Sequence, residues 1–298
     1  NHLSPVQNIL PIALPIDSAQ ALSRSTILQD EPGGIAFQLA SLDESGVVNI
    51  WVLIELEKPD EAGSENDLGL APGGRVKLIK STSVQVQSPH REMFVGCDIQ
   101  ASVMQFSTMD PNHFYVGTDR GWVIHCSRYG GRTHPKFYRP ETDSFVTISA
   151  IDVSPWNIPV LLIGCADGSL RLHDLRKECA IRSWPETTQG SAIIQLMWSK
   201  SRPSLFFVLD AKSNFYIWDL LRNDGQPIAT ESFKRGKVFY FSMSNDYESL
   251  GIGLPGRKSE LILNYEGGIM ELHRLKENLT NVQADELDRF ASLMETII

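Results

Sequence analysis

One short pattern returns five times along this chain, and no other feature restricts the possible folds as much. An acidic or turn residue is followed by Gly or a small residue, then alternating apolar positions, then Trp or His and often Asp-Leu. The copies read LDESGVVNIWVL from Leu42 to Leu53, TDRGWVIHC, ADGSLRLHDL, AKSNFYIWDL and YEGGIMELHRL. Counted from the Gly or its substitute, Trp51, Cys126, His173, Trp218 and His273 share one equivalent position, here termed the anchor. An apolar stretch precedes each copy, in turn FQLAS, HFYVG, PVLLIG, SLFFVL and ELILN. Apolar alternation on both sides of a tight turn predicts a β-hairpin. The turn residues Asp43, Gly46, Asp119, Gly121, Asp167, Gly168 and Gly268 suit it. Tight hairpins need positive φ, which Gly adopts without steric cost, and Asp bonds the nearby backbone.

A third alternating segment lies upstream of each hairpin (VQNILPIAL, VMQFSTM, ISAIDVS, IIQLMWS, VFYFSMS), and a weaker fourth follows three of them (RVKLIKS, PKFYRP, AIRSWP). Four short antiparallel strands at a period of roughly 45 to 55 residues approximate a WD40 blade. A small twisted sheet cannot bury both faces alone, so such sheets stack radially, which leaves only short protected edges. The expected fold is all-β, a WD40-type β-propeller with five visible blades at about 5–53, 99–140, 146–185, 191–230 and 236–275. WD propellers commonly exceed five blades, so these five are expected to be an incomplete part of a larger ring. The blades fill 1–278, interrupted by a turn-rich insertion at 57–93 that contains Pro72-Gly73-Gly74 and the strand RVKLIK. In the tail, 279–298, Leu287, Phe290, Leu293, Met294 and Ile297 recur at three- and four-residue steps, which predicts a C-terminal amphipathic helix. Its apolar stripe can dock on the blades or serve another protein, and docking is the favoured expectation.

The chain is 42% hydrophobic and 21% charged, the make-up of a globular protein with a large core. Its net charge of -9 opposes the clustered basic surface that phosphate neutralisation requires, so no nucleic-acid partner is expected. Four cysteines, Cys97, Cys126, Cys165 and Cys179, form no CxxC pair and read as reduced thiols of a cytoplasmic protein. No stretch approaches the ~20 apolar residues of a membrane span, so no membrane insertion is expected. The sequon Asn278-Leu279-Thr280 then reads as accidental.

No motif points to chemistry. GIGLPG, from Gly251 to Gly256, matches GxGxxG, but Pro255 lies inside it and a strand follows where a dinucleotide site needs a helix. The seven histidines form no ligand set, and His125 and Cys126, adjacent on a strand, point to opposite faces. No GxSxG elbow marks a nucleophile, and Asp43, Asp119 and Asp167 sit where turn-forming Asp belongs. His173 and His273 are expected to pack as polar aromatics with a ring nitrogen bonded to a neighbouring turn. The expectation is a non-enzyme without metal or cofactor. Trp156, in the turn SPWNIP, together with Arg75 and Lys77 of the insertion strand, are the candidate partner contacts.

The segment LDESGVVNIWVLIEL, the run AGSENDLGLAPGGRVKLIKS, and DPNHFYVGTDRG and SNFYIWDLL resemble the C-terminal WD-repeat region of the cytoplasmic dynein-2 intermediate chains. Asp-Leu-Gly-Leu ahead of Pro72-Gly73-Gly74-Arg75-Val76-Lys77-Leu78 is the most specific portion, because generic WD blades carry no such insertion. The resemblance implies a non-catalytic scaffold subunit of the motor for retrograde intraflagellar transport and cilium assembly. Its implied partners are the dynein-2 heavy chain tail, a second dynein-2 intermediate chain, and light chains held by an N-terminal region outside this chain. It implies a place in the cilium and its base, in the cytoplasm and on the cytoskeleton, and brings no catalytic residues. Two other classes stay open at this point: a substrate receptor or coat-type scaffold unrelated to motors, and, remotely, an enzyme built at a propeller channel.

Overall fold

The computed structural model describes residues 2–12, 36–56, 74, 76–87, 100–140, 145–243, 260–281 and 285–297. The alternating segments form five antiparallel sheets. The first holds β1 (Val6–Ile12), β2 (Ala36–Asp43), β3 (Val47–Glu55) and β4 (Val76–Gln85). The second holds β5 (Ala101–Phe106), β6 (His113–Thr118), β7 (Val123–Ser127) and β8 (Phe137–Tyr138). The third holds β9 (Ile148–Val153), β10 (Val160–Cys165), β11 (Leu170–Asp174) and β12 (Ala180–Trp184). The fourth holds β13 (Ile193–Trp198), β14 (Leu205–Asp210), β15 (Asn214–Asp219) and β16 (Ala229–Ser232). The fifth has three strands among the described residues, β17 (Val238–Met243), β18 (Glu260–Tyr265) and β19 (Met270–Arg274). In every sheet the strands follow one another in chain order, so each is a meander of the WD blade type that the repeat predicts. The chain divides into two compact units, 1–116 with 126–133 and 117–125 with 134–298, and the division runs through the second sheet.

The five repeat turns close alike. The amides of Gly46, Gly121, Gly168, Ser213 and Gly268 donate to the carbonyls of Asp43, Thr118, Cys165, Asp210 and Tyr265, at 3.0, 3.4, 3.1, 3.0 and 3.2 Å. Each of the five turn residues has positive φ, between +65° and +86°. Gly168 is the most constrained, at φ +86°, because an added Cβ would strike the Thr188 hydroxyl and stand 2.7 Å from the Ser191 carbonyl oxygen. In the fourth hairpin Ser213 takes the place of Gly at φ +65°. The cost of that conformation is offset by the Asp210 carboxylate, whose Oδ1 accepts the amides of Lys212 and Asn214 at 2.9 and 2.8 Å.

Packing follows from which strands lie in the middle. Every residue of β10 and of β14 is buried, the signature of a strand covered on both faces. The third and fourth sheets share one core that includes Val160, Leu162, Leu172, Trp184, Trp198, Phe206 and Trp218. Gly164 permits their close approach, since a Cβ there would lie 2.7 Å from Ile193 Cγ2 and 2.9 Å from Leu196 Cδ2. The fifth sheet packs one face against the fourth through Val238, Phe241, Leu261 and Leu263. Gln195 fixes their register: its amide nitrogen donates to the Phe241 carbonyl and its oxygen accepts the Phe241 amide, both at 2.8 Å.

The predicted tail helix spans Glu286–Ile297 and buries Phe290 and Met294 in the core of the third and fourth sheets, so it docks as expected. Of the insertion, β4 is an outer strand of the first sheet, while 57–73, Arg75 and 88–93 lie outside the described residues, as does the GIGLPG segment.

Candidate functional site

The anchor residues share one rung of their sheets. Trp51 pairs with Leu39, His173 with Leu161, Trp218 with Phe206 and His273 with Leu261, in each case four residues before the end of the preceding strand. Their surroundings differ. Cys126, on β7, is buried, and burial pushes its thiol up to about 12. Trp218 stacks on Phe206 with ring centroids 5.5 Å apart and planes inclined by 10°, and it lies 5.3 Å from Trp184. His273 is partly exposed and its Nε2 lies 3.1 Å from a Glu271 carboxylate oxygen. Glu271 also accepts from the Tyr265 hydroxyl and from Arg235. The Tyr265 hydroxyl, then Arg235 and His273, draw the Glu271 carboxyl down to about 2.

At Trp51 the sheet builds a hydrogen-bonded brace. The Trp51 indole N–H donates to Ser41 Oγ at 2.7 Å, Ser41 Oγ lies 2.6 Å from His2 Nε2, and His2 Nδ1 lies 2.8 Å from Asp43 Oδ2. Strand alternation puts Leu39, Ser41 and Asp43 on one face with Trp51, which the sequence permits one to see. His2 carries no periodic signal, and sequence reasoning missed it. Burial works against the Asp43 charge, but bonds from the Ser45 hydroxyl, the Val47 amide and His2 outweigh it and hold the carboxyl below its ordinary value. The Asp-His-Ser order resembles a nucleophile relay. Ser41, however, is 5% exposed and already receives the Trp51 N–H, so the arrangement braces the hairpin.

His173 departs from expectation. It is fully buried, its ring stands edge-on to Tyr138 at 5.5 Å, and neither ring nitrogen meets a hydrogen-bond partner among the described residues. Burial, with the neighbouring Arg171 guanidinium, pushes its pKa down to about 3. The imidazole is therefore neutral in the fold but takes a proton near 6.5 when unfolded, so its effect on stability is constant above that pH. As pH falls from 6.5 toward 3 the unfolded state gains the proton first, and stability drops. His173→Phe is expected to be at least neutral at pH 7 and to gain about 2 kcal/mol over the parent at pH 5, read by urea denaturation at both pH values.

The second feature missed in the sequence is a buried charge cluster that ties the tail helix to the fourth sheet. Arg202 Nε donates to both Glu286 carboxylate oxygens at 3.0 Å, and Nη2 donates to Asp219 Oδ2 at 3.2 Å. Its Nη1 donates to the Asn278 carbonyl at 2.7 Å. The Ser204 hydroxyl sits between the acids, 2.9 Å from Asp219 Oδ1 and 2.8 Å from Glu286 Oε1. The signal for this was an acid opening the helix, Glu286, beside the Asp-Leu that ends a repeat, but no spacing rule links either to Arg202.

Of the candidate contacts, Arg75 lies outside the described residues. Lys77 is on the outer strand β4, half-buried. Trp156 is half-buried and spends its indole N–H on the Ser199 carbonyl at 2.8 Å, bridging the turn after β9 to the end of β13. Cys126, Cys165 and Cys179 are free thiols. Among the described residues no group of three or more His, Cys, Asp or Glu is placed to hold a metal, and no helix is long and apolar enough to cross a membrane.

No family model matches the chain. Cytoplasmic dynein 2 intermediate chain 1 of Mus musculus is 38% identical over 99% of this chain, and the Homo sapiens protein of that name is 37% identical over 99%. The chain spans 30% and 28% of those two relatives, matching their C-terminal part. Cytoplasmic dynein 2 intermediate chain 2 of Homo sapiens is 24% identical over 66% of this chain, which covers 37% of it. In fold, the crystal structure of Chaetomium thermophilum Raptor superposes on 91% of this chain with a TM-score of 0.56 at 12% identity, over 20% of that protein. The match runs along almost every residue and through all five sheets: the chain is similar over nearly its whole length to the C-terminal region of cytoplasmic dynein 2 intermediate chain 1.

Proposed function

We propose that this chain is a non-catalytic scaffold region of a cytoplasmic dynein 2 complex, its blades gripping the tail of the heavy chain for retrograde intraflagellar transport and cilium assembly. A second intermediate chain is its neighbour in that complex, and the assembly works at the cilium and its base. The observation that carries this reading is the 38% identity over 99% of the chain to a dynein 2 intermediate chain. The build of the molecule is consistent with it: stacked sheets present broad, shallow surfaces suited to protein partners. Lys77, with Arg75 two residues before it in sequence, and the exposed part of Trp156 are the proposed contact residues.

Co-purification tests it. Full-length protein carrying this region, tagged and recovered from ciliated cells, is expected to bring the dynein 2 heavy chain with it. A deletion of 100–275 is expected to abolish that recovery and to leave light chains attached. Retention of the heavy chain by the deleted protein overturns the proposal.

A further inference from the structure

We propose that the outer edge of β4 is a docking strand for an extended, acidic segment of a partner protein, which adds to the first sheet as a fifth strand. The inference stands whether or not the dynein 2 reading holds.

Three observations carry it. First, β4 is ten residues long, against two, five and four for the outer strands β8, β12 and β16, and on its far side no strand pairs with it among the described residues. A long outer strand presents a row of unpaired backbone N–H and C=O groups, the template to which an extended segment adds. Second, the strand VKLIKSTSVQ contains two lysines and no acid, in a chain of net charge -9. Neither Lys77 nor Lys80 has an ion-pair partner among the described residues. Third, Val76 and Ile79 on the same strand are each 42% exposed, and Ser81, Thr82 and Ser83 extend the exposed row.

Charge complementarity chooses the occupant. Lys77 and Ile79 lie on one face of β4 and Val76 and Lys80 on the other, so an extended segment with Glu or Asp at every third position among small apolar residues sets one carboxylate against each lysine while its apolar side chains cover Val76 and Ile79. The backbone ladder gives affinity without sequence preference, and the lysines select against basic segments. The competing role for edge lysines is protective, to keep one copy of a protein from pairing with another.

The test uses the full-length protein and a fluorescein-labelled peptide with Glu at every third position among Val, with a peptide carrying Lys in place of each Glu as control. Fluorescence polarisation is expected to show saturable, salt-sensitive binding of the acidic peptide alone. The double substitution Lys77→Glu with Lys80→Glu is expected to weaken it about tenfold. A milder pair, Lys77→Gln with Lys80→Gln, guards against misfolding and is expected to lose severalfold with an unchanged circular dichroism spectrum. Deuterium uptake in 76–85 is expected to fall on binding. Equal binding of both peptides, binding indifferent to the lysine changes, or protection away from β4 overturns the proposal. So does failure of the native protein to bind while the Gln variant self-associates, which assigns the lysines their protective role.

Discussion

Arg202→Ala is expected to destabilise the unit containing residues 134–298 by about 3 to 5 kcal/mol, the largest loss from any single polar substitution in the chain. The guanidinium is 5% exposed and pairs with two buried carboxylates, Asp219 and Glu286. Removing it leaves two buried acids close together without the guanidinium charge that neutralises them, the Ser204 hydroxyl lying between them. The Asn278 carbonyl loses its donor as well. Arg202→Lys is expected to recover only part of the loss, because a point ammonium cannot serve the acceptors that a planar fork reaches at once. Urea denaturation followed by circular dichroism gives the magnitude, and hydrogen exchange in 286–297 gives the cause. A loss under about 1 kcal/mol, or a helix as protected as in the parent, means that the apolar contacts alone hold it.

Trp218→Ala is expected to cost about 3 to 5 kcal/mol by opening a cavity that the surrounding sheets cannot collapse. Trp218 is 1% exposed, and its neighbours are themselves large and fixed: Phe206 stacks on it and Trp184 leans against it. Its indole N–H has no partner among the described residues, so the residue stabilises through packing, and Trp218→Phe is expected to lose much less. Denaturation midpoints of the two variants separate the explanations: equal losses would mean that ring size does not matter at this position.

The anchor position shows what the sequence could and could not reveal. A period of turn, alternation and aromatic fixes which residues share a rung, because the hairpin register follows from the turn itself, and Trp51, His173, Trp218 and His273 do share one. The same period says nothing about what each side chain meets. His173 was expected to bond a turn and is sealed with no hydrogen-bond partner among the described residues, whereas His273 reaches Glu271 on its own strand. Those outcomes depend on side chains arriving from neighbouring strands and sheets, such as Tyr138 beside His173. The brace at Trp51 was half legible, through Ser41 and Asp43, and its His2 was not. The cluster on Arg202 joins it to positions 17, 76 and 84 residues away, distances over which no local rule operates. The tail helix was legible because amphipathic spacing survives whatever it docks on.

The order of contacts along that helix has a mechanical meaning. Tension entering from its far end meets Ile297 first, then Met294 and Leu293, then Phe290, and only afterwards Glu286 with its hold on Arg202. The helix is thus loaded as a zipper whose apolar teeth come first and whose last tooth is an ion pair. Under load the apolar turns are expected to peel first, and detachment to wait for the charged clasp at the root.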